Sequence, residues 1–337
     1  MTLHLESDLW LDQPDAHDRI DERVSDGRLR ASDGVLLHSF VDDGFVRVTL
    51  DRDETFFLDF DADIERLWRE RPADLAISPK GPEGPMAFRD YDGPSRDPGY
   101  RFPDLHSSSD RALDLYLDAE IFRVVELILD QPAIAIQSLY FEYGSTQQLH
   151  RDPMFVTTRP PAHLLASWIA LEDITEDAGP LTYVPGSHRL PYFEFEPDSV
   201  TRPPKIARER EQAWAAWLKQ TRETLPVQTL TCKRGDAFIW HGGLLHGGMP
   251  IRDAAATRKS FVVHYSTAAT YHERTARTRV RSADGWRPVS GTTDTVIERK
   301  GARGLDSPRR VIAEATKRRT SLLDRIARRL KGGNRAD

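Results

Sequence analysis

Three side chains in this sequence have the types and the spacing to bind a metal ion. His150 and Asp152 are separated by one residue, and side chains at i and i+2 of an extended segment point to the same side. His246, almost a hundred positions later, can add a second imidazole from another strand. Two histidines and one carboxylate form the face that binds Fe(II) and leaves coordination positions open. These residues therefore predict a metal centre for oxidation by O2.

His241 is a second candidate for the third ligand. It lies five residues before His246, so on a continuous strand the two rings would face opposite sides. His246 is flanked by glycine, which permits a close approach to a metal, and it is nearer to Arg258 in the sequence. We therefore predict His246 as the ligand. His264, within a later predicted strand, is expected in the core or in the pocket wall.

Arg258 and Ser260 form a second polar group, twelve and fourteen residues after His246. The planar guanidinium of an arginine can hold a carboxylate through two parallel hydrogen bonds. Ser260 lies on the same strand face as Arg258 and could donate to the same carboxylate. This pair predicts a binding site for a carboxylic acid close to the metal.

Four motifs follow one another in the second half of the chain. They read STQQLHRDPMF, LLASWIALEDITEDAGPLTYVPGSHR, KRGDAFIWHGGLLHGGMP and TRKSFVVHYS. In this order they resemble the phytanoyl-CoA dioxygenase family of Fe(II)/2-oxoglutarate oxygenases, over about residues 133–266. The matching residues are His150-Arg151-Asp152, Trp168, Gly179-Pro180-Leu181, Pro185-Gly186-Ser187-His188, Gly235-Asp236, His246-Gly247 and Arg258-x-Ser260.

The resemblance implies a fold, a cofactor and a cosubstrate. The fold is a double-stranded β-helix, a cupin-like jelly roll. The cofactor is Fe(II), which 2-oxoglutarate chelates while its far carboxylate meets Arg258 and Ser260, with Trp168 beside it. The reaction uses O2, converts 2-oxoglutarate to succinate and oxidises a small organic substrate, most simply by hydroxylation.

Three residues refine the expected chemistry. Related halogenating enzymes have a small residue in place of the carboxylate, so the retained Asp152 disfavours halogenation. Arg151 stands where glutamine is common in the family, and we expect it to affect the edge of the pocket and not the metal. Trp240, on the strand that follows the turn at Gly235-Asp236, is a further candidate for the substrate pocket.

The strand before the metal motif leaves two alternatives open. Gln137, Leu139 and Phe141 share one face, while Tyr140 and Glu142 share the other. Only one face can point into the barrel. Either Gln137 lines the cosubstrate end of the site, or Tyr140 and Glu142 line the substrate pocket.

Two other functions are compatible with the same residues. A cupin-like metalloenzyme of another reaction class could use the same ligands to bind Mn, Co, Ni or Zn, because affinity alone does not select iron. A binding protein with a vestigial site is the second alternative, although the intact ligands and Arg258 argue against it. The sequence does not specify the substrate or the oligomeric state.

The fold class expected from the patterns is mainly β with flanking helices. Residues 1–132 are predicted mainly helical, with helices at 61–70 and 109–130 and a long loop at 80–103. Alternating strands follow in 133–266, interrupted by a helix at 206–223, and 267–305 is predicted irregular. We expect residues 1–305 to form one oxygenase domain and 306–337 to be a basic tail.

The composition limits the classes of binding partner and the cellular compartment that we expect. The chain has 337 residues, 39% hydrophobic and 30% charged, with a net charge of −6, which argues against nucleic acid as the main partner. From residue 308 onward ten Lys and Arg face three Asp and Glu, and a basic amphipathic helix is predicted at 321–331. For this segment we favour a helix docked on its own domain or on a partner, or a mobile tail, over contact with a membrane surface. A single cysteine, Cys232, and an acidic start without a signal sequence predict a cytoplasmic protein.

Overall fold

The computed structural model describes residues 2–3, 7, 9–80, 84–156, 158, 160–267 and 269–270, together with the backbone of four strands between 279 and 306. The predicted C-terminal helix at 321–331 and the rest of the tail lie outside the described residues. No described helix combines the length and the apolar character needed to cross a membrane.

Helices predominate before residue 130 and strands after it. In the described residues the α-helices are Ala16–Ser25 (α1), Ala31–Asp43 (α2), Glu54–Glu70 (α3), Asp110–Tyr116 (α4), Ala119–Leu129 (α5) and Arg208–Thr224 (α6). The strands are Thr2–Leu3 (β1), Phe45–Thr49 (β2), Ala76–Ile77 (β3), Met86–Ala87 (β4), Arg101–Pro103 (β5), Ala133–Phe141 (β6), Leu165–Ala170 (β7), Leu181–Val184 (β8), Tyr192–Phe193 (β9), Gln228–Leu230 (β10), Asp236–His241 (β11), Leu245–Gly248 (β12), Ser260–Thr267 (β13), Arg279–Ser282 (β14), Gly285–Pro288 (β15), Thr295–Arg299 (β16) and Ala302–Asp306 (β17).

Two sheets form the core. The larger has the order β15-β14-β16-β17-β6-β13-β7-β11-β2, with β5 also paired to β6, and the smaller has the order β10-β8-β12. The pairs from β6 to β2 in the larger sheet, and both pairs of the smaller one, are antiparallel. Short antiparallel strands in two facing sheets are typical of a jelly roll. The predicted fold class is confirmed.

Both faces of the larger sheet are buried. One face meets the smaller sheet in an aromatic cluster that includes Trp168, Tyr183, Phe238 and Trp240. The opposite face packs against the helical layer, in a larger cluster to which β6, β7, β11 and β13 all contribute. Strands covered on both faces lose the alternation of polar and apolar residues that would reveal the inward face. The sequence pattern therefore does not show which side chains of these strands point into the site.

The helical layer is anchored by capped helices. Asp53 begins α3 by accepting a hydrogen bond from the Phe56 amide at 2.9 Å. The apolar stripe of α3 then places Phe60 against Phe261 of the sheet, with ring centroids 6.1 Å apart. The single helix predicted at 109–130 is two helices. The first ends at Tyr116, and Asp118 begins α5 by accepting hydrogen bonds from the amides of Glu120 and Ile121.

Two segments predicted to lack regular structure contain strands. The predicted loop at 80–103 includes β4 and β5, and β5 pairs antiparallel with β6. The segment at 267–305, predicted irregular, contains β14, β15, β16 and most of β17, so that prediction is wrong. These strands are short, and they extend an existing sheet through β17 beside β6. Tertiary pairing, not local pattern, produces them.

Candidate metal centre

The backbone brings the two predicted histidine ligands together. The amide of His150 donates to the His246 carbonyl at 2.9 Å, and the reverse bond measures 3.0 Å. The next residue, Gly247, passes so close to the preceding loop that a Cβ atom there would lie 2.7 Å from the Gln147 carbonyl oxygen. Glycine is therefore required for this approach. Asp152, predicted on an extended strand, begins a short 3-10 helix instead. Its amide donates to the Gly242 carbonyl at 3.1 Å.

The three side chains form a compact, buried cluster that could hold a metal ion. One ligand atom from each of His150, Asp152 and His246 lies within 4.8 Å of the other two. The Nδ1 atoms of His150 and His246 contact the carbonyls of Gln148 at 2.8 Å and Leu244 at 3.0 Å. Each Nδ1–H therefore has an acceptor, which leaves Nε2 as the free lone pair. The arrangement fits a divalent ion held by two imidazoles and one carboxylate.

The electrostatics favour the ligand forms of these groups. Burial, helped by the neighbouring His246, lowers the pKa of His150 to about 3, so its imidazole is neutral at pH 7. Burial works against ionisation of Asp152, but His246 and His264 together hold the pKa of Asp152 well below its usual value. Burial alone would lower the pKa of His246, but the negative charge of Asp152 outweighs burial, so the pKa of His246 is raised. A bound cation would replace the proton that this His–Asp pair favours.

Neighbouring side chains hold Asp152 in place. The indole Nε1 of Trp240 donates to Asp152 Oδ2 at 2.8 Å. The Nε2 atom of His264 lies 3.4 Å from Oδ1, and His264 Nδ1 lies 3.1 Å from the Gln137 amide nitrogen. His264 thus lines the wall of the site, one of the two places expected from the sequence. Nothing in the spacing of Trp240 and His264 indicated that both would contact the carboxylate.

Changing Trp240 to phenylalanine should weaken metal binding without unfolding the protein. The variant keeps the ring but loses the bond that orients Asp152, and loss of such a partner typically lowers metal affinity about 10- to 100-fold. Titration with Fe(II) under anaerobic conditions measures the effect. Trp68→Phe is the control, because Trp68 donates a comparable buried bond to Tyr100 at 3.1 Å in another part of the protein. Equal affinities in the two variants would contradict this role of Trp240.

A cavity of about 410 Å³ contains the metal ligands and the predicted carboxylate site. Arg258 and Trp168 line it, and the Arg258 guanidinium carbon lies 5.7 Å from the Trp168 ring centre. Three buried polar atoms of its wall have no hydrogen-bond partner, namely Arg258 Nε and Nη1 and Trp168 Nε1. Ser260 is not among the residues that line the cavity, but its buried Oγ also has no partner. Burial lowers the pKa of Arg258 to about 10, which still leaves it charged at pH 7. A buried cation without a partner is unfavourable unless a ligand supplies an anion.

The structure decides which face of β6 points into the cavity. Gln137, Leu139 and Phe141 line the cavity. Tyr140 packs on the opposite side, with its ring centre 5.9 Å from that of Phe60. Glu142 accepts a hydrogen bond from the Tyr100 hydroxyl on that same side. The alternative in which Tyr140 and Glu142 line the substrate pocket is therefore wrong.

Arg151 does not reach the cavity, contrary to prediction. Its guanidinium donates to the carbonyls of Ser187 at 2.6 Å and of Leu190 and Pro191 at 3.1 Å each. The guanidinium also lies 4.6 Å from the ring centre of Tyr192. Because these partners belong to the PGSH motif and to the residues that follow it, Arg151 holds that segment against His150 and Asp152 on the side away from the cavity.

His241 lies on the opposite side of β11 from the metal ligands. Its Nε2 is 3.3 Å from Asp12 Oδ2, and its Nδ1 accepts a bond from the Gly243 amide at 2.8 Å. Trp240, the preceding residue on β11, faces the cavity. Alternation along the strand therefore turns His241 away, and the structure brings His246 to His150 and Asp152.

The family profile and the curated relatives that match this sequence carry the same family description. The profile of the family described as Phytanoyl-CoA dioxygenase (PhyH) matches residues 87–260. Phytanoyl-CoA dioxygenase domain-containing protein 1 of Mus musculus is 28% identical over 145 residues, which are 41% of this chain and 47% of the relative. The Danio rerio protein of the same name is 29% identical over 182 residues, 49% of this chain and 52% of the relative. The chain spans about half the length of these curated relatives.

Solved structures share the fold at low sequence identity. The epimerase SnoN, crystallised with Fe3+, alpha ketoglutarate and nogalamycin RO, has a TM-score of 0.55 and 20% identity, covering 72% of this chain and 87% of its own. EctD from S. alaskensis with bound Fe has a TM-score of 0.52 and 17% identity, covering 70% of this chain and 77% of its own. These two likenesses support the jelly-roll architecture.

Proposed function

We propose that this chain, which belongs to the phytanoyl-CoA dioxygenase family, is an Fe(II)- and 2-oxoglutarate-dependent oxygenase that hydroxylates a small organic metabolite. One observation carries the proposal. A two-histidine, one-carboxylate cluster shares a cavity with the buried Arg258 and with Trp168, and both of these side chains have polar atoms without a partner. The first group suits Fe(II), and the second suits the far carboxylate of a dicarboxylic acid.

The metal would be held by three atoms. These are the Nε2 atoms of His150 and His246 and one oxygen of Asp152, whose other oxygen is already bonded to Trp240. Both imidazoles are oriented by backbone carbonyls, so the site needs little rearrangement to bind an ion. When bound, Fe(II) supplies the activation of O2 that couples conversion of 2-oxoglutarate to succinate with oxidation of the substrate.

The cosubstrate would be held by the opposite end of the cavity. Arg258 offers a planar pair of donors, and the unpartnered hydroxyl of Ser260 is available to donate to the same carboxylate. Trp168 would cover this carboxylate and exclude water, which strengthens the ionic contact. Gln137, fixed through its contact with His264, is the polar residue of β6 available to the cosubstrate near the metal.

Two features narrow the reaction further. The retained Asp152 occupies the coordination position that a halide would need, so oxygenation is proposed over halogenation. Leu139, Phe141 and Val262 line the cavity beside the polar groups, which suits a substrate whose reacting carbon is in an apolar part of the molecule.

The proposed oxygenase domain comprises residues 1–305, with 306–337 as its tail.

The direct test is optical. Purified protein with Fe(II) and 2-oxoglutarate, without oxygen, should develop the weak absorbance band of the chelate. Glutarate, which lacks the keto group, should not produce it. On admission of air the complex should release succinate slowly even without substrate. A bound metal that gives no band with 2-oxoglutarate would point to a cupin-like enzyme of another reaction class and overturn the proposal.

A further inference from the structure

A second arginine lines the cavity of the metal ligands, on a short strand inside the segment predicted to be a loop. Arg101 is on β5, paired across from Phe141 of β6. The next residue, Phe102, is fully buried in the core on the far side, with its ring stacked on that of Tyr140. Alternation along β5 therefore turns Arg101 and Pro103 to the cavity side, and both line the cavity.

Arg101 has no partner in the part of the chain that the structure describes. No hydrogen bond or ion pair reaches its guanidinium, and burial lowers the pKa of Arg101 with no acidic neighbour to offset it. Nearby arginines differ, because Arg96 pairs with Glu65 and Glu142, and Arg89 pairs with Asp90. Asp104 lines the same cavity, but its Oδ1 accepts a bond from the Ser138 amide at 3.1 Å.

The two cavity arginines lie at different depths. Arg258 is 2% exposed, whereas Arg101 is only partly buried and therefore nearer the opening. A dicarboxylic cosubstrate would use one carboxylate at the metal and the other at Arg258. Among the described residues, none would then balance the positive charge of Arg101 in the wall of the filled site.

An exposed aromatic ring stands at the same cavity. Phe155 is 54% exposed, which is unusual for so large an apolar side chain, and its ring centre is 5.5 Å from that of His150. It shares the cavity wall with Val156 and Leu181. Phe155 is therefore available, with these apolar neighbours, to contact the apolar part of a molecule that enters the cavity.

We infer that the primary substrate is an amphipathic anion, whose carboxylate or phosphate binds Arg101 and whose apolar part lies against Phe155. This inference rests on the proposed function, because it assigns Arg258 to the cosubstrate. The anionic group would anchor the outer end of the molecule. The apolar carbon to be oxidised would then extend from the anchor toward the metal.

Calorimetric titration of the full chain tests the inference. The protein is loaded with Fe(II) and 2-oxoglutarate without oxygen, so that Arg258 is occupied. The probes are hexanoate, hexyl phosphate and the neutral hexanol. We expect at least one of the two anions to bind about tenfold or more tightly than hexanol, as a charge-assisted contact requires. The tighter of the two identifies the anionic group as carboxylate or phosphate.

Variants locate the contact. Arg101→Gln should lose the preference for the anion and bind hexanol as before, and Arg101→Lys should retain part of the preference. Arg89→Gln, which removes an equal charge from a paired and exposed arginine, should behave like the wild type. All three should keep the absorbance band with 2-oxoglutarate.

Two results would overturn the inference. One is a wild type that binds neither anion more tightly than hexanol, and the other is an Arg101→Gln variant that keeps the preference. Failure of the proposed function looks different, because the band would then be missing in the wild type as well. In that case the titrations are repeated without metal in an Arg258→Met background. Loss of the preference for the anion when Arg101→Gln is added would support the inference, and a preference that persists would overturn it.

Discussion

Replacing His246 with alanine is expected to lower 2-oxoglutarate turnover by more than about 100-fold, beyond what loss of a supporting residue costs. The three candidate ligand atoms lie within 4.8 Å of one another. With one of them removed, the remaining two would not hold the ion in a working geometry. His150→Ala and Asp152→Ala should have the same effect. Succinate release measures turnover, and the iron content of the anaerobically loaded protein measures binding.

The control is His241, the last residue of β11, five residues before His246. In His241→Asn the amide oxygen takes the place of Nδ1, so the bond from the Gly243 amide at 2.8 Å can be kept. Because His241 lies behind β11, this variant should bind iron and turn over normally. Full activity in His246→Ala, or loss of iron in His241→Asn alone, would reverse the assignment of the third ligand.

Arg258→Met is expected to weaken 2-oxoglutarate binding by about 1.5–3 kcal/mol, roughly 10- to 150-fold, the usual range for a charge-assisted contact. Iron binding should not change, because Arg258 does not contact the ligands. In the free protein the buried guanidinium has unpartnered donors, so its removal should also raise the melting temperature. Titration of the absorbance band with 2-oxoglutarate and thermal unfolding are the two measurements.

Neighbouring substitutions separate charge from geometry. Arg258→Lys keeps the charge without the planar fork and should fall between the wild type and Arg258→Met. Ser260→Ala removes one donor and should cost about 0.5–1.5 kcal/mol, the net worth of one hydrogen bond. A variant at Arg258 that binds 2-oxoglutarate as tightly as the wild type would show that the far carboxylate is held elsewhere.

Much of the site could be predicted because its chemistry requires particular residue types. Imidazole and carboxylate side chains at this spacing suit a divalent ion such as Fe(II), and an arginine offers the planar fork that matches a carboxylate. His150, Asp152 and His246 therefore stand out in the sequence before any fold is known, and so does Arg258. The family and the jelly roll follow from the order of the motifs around them.

The rest of the cavity could not be predicted, because both faces of its strands are buried. Alternation shows that Gln137 opposes Tyr140 on β6, but apolar cover on both sides removes the difference that would orient the strand. Likewise Arg151, beside two ligands in the sequence, turns away because carbonyls of a distant segment bind it.

By itself, the sequence determined the family, and it predicted three candidate metal ligands and the arginine proposed for the cosubstrate, since these depend on which atoms are available. Only the tertiary structure decided which wall each remaining side chain joins. Pairing of β5 with β6 places Arg101, predicted to lie in a loop, in the wall of the candidate metal site, where no described residue pairs with it. Contacts of this kind are set by strand register and by packing between distant segments, and local pattern does not encode them.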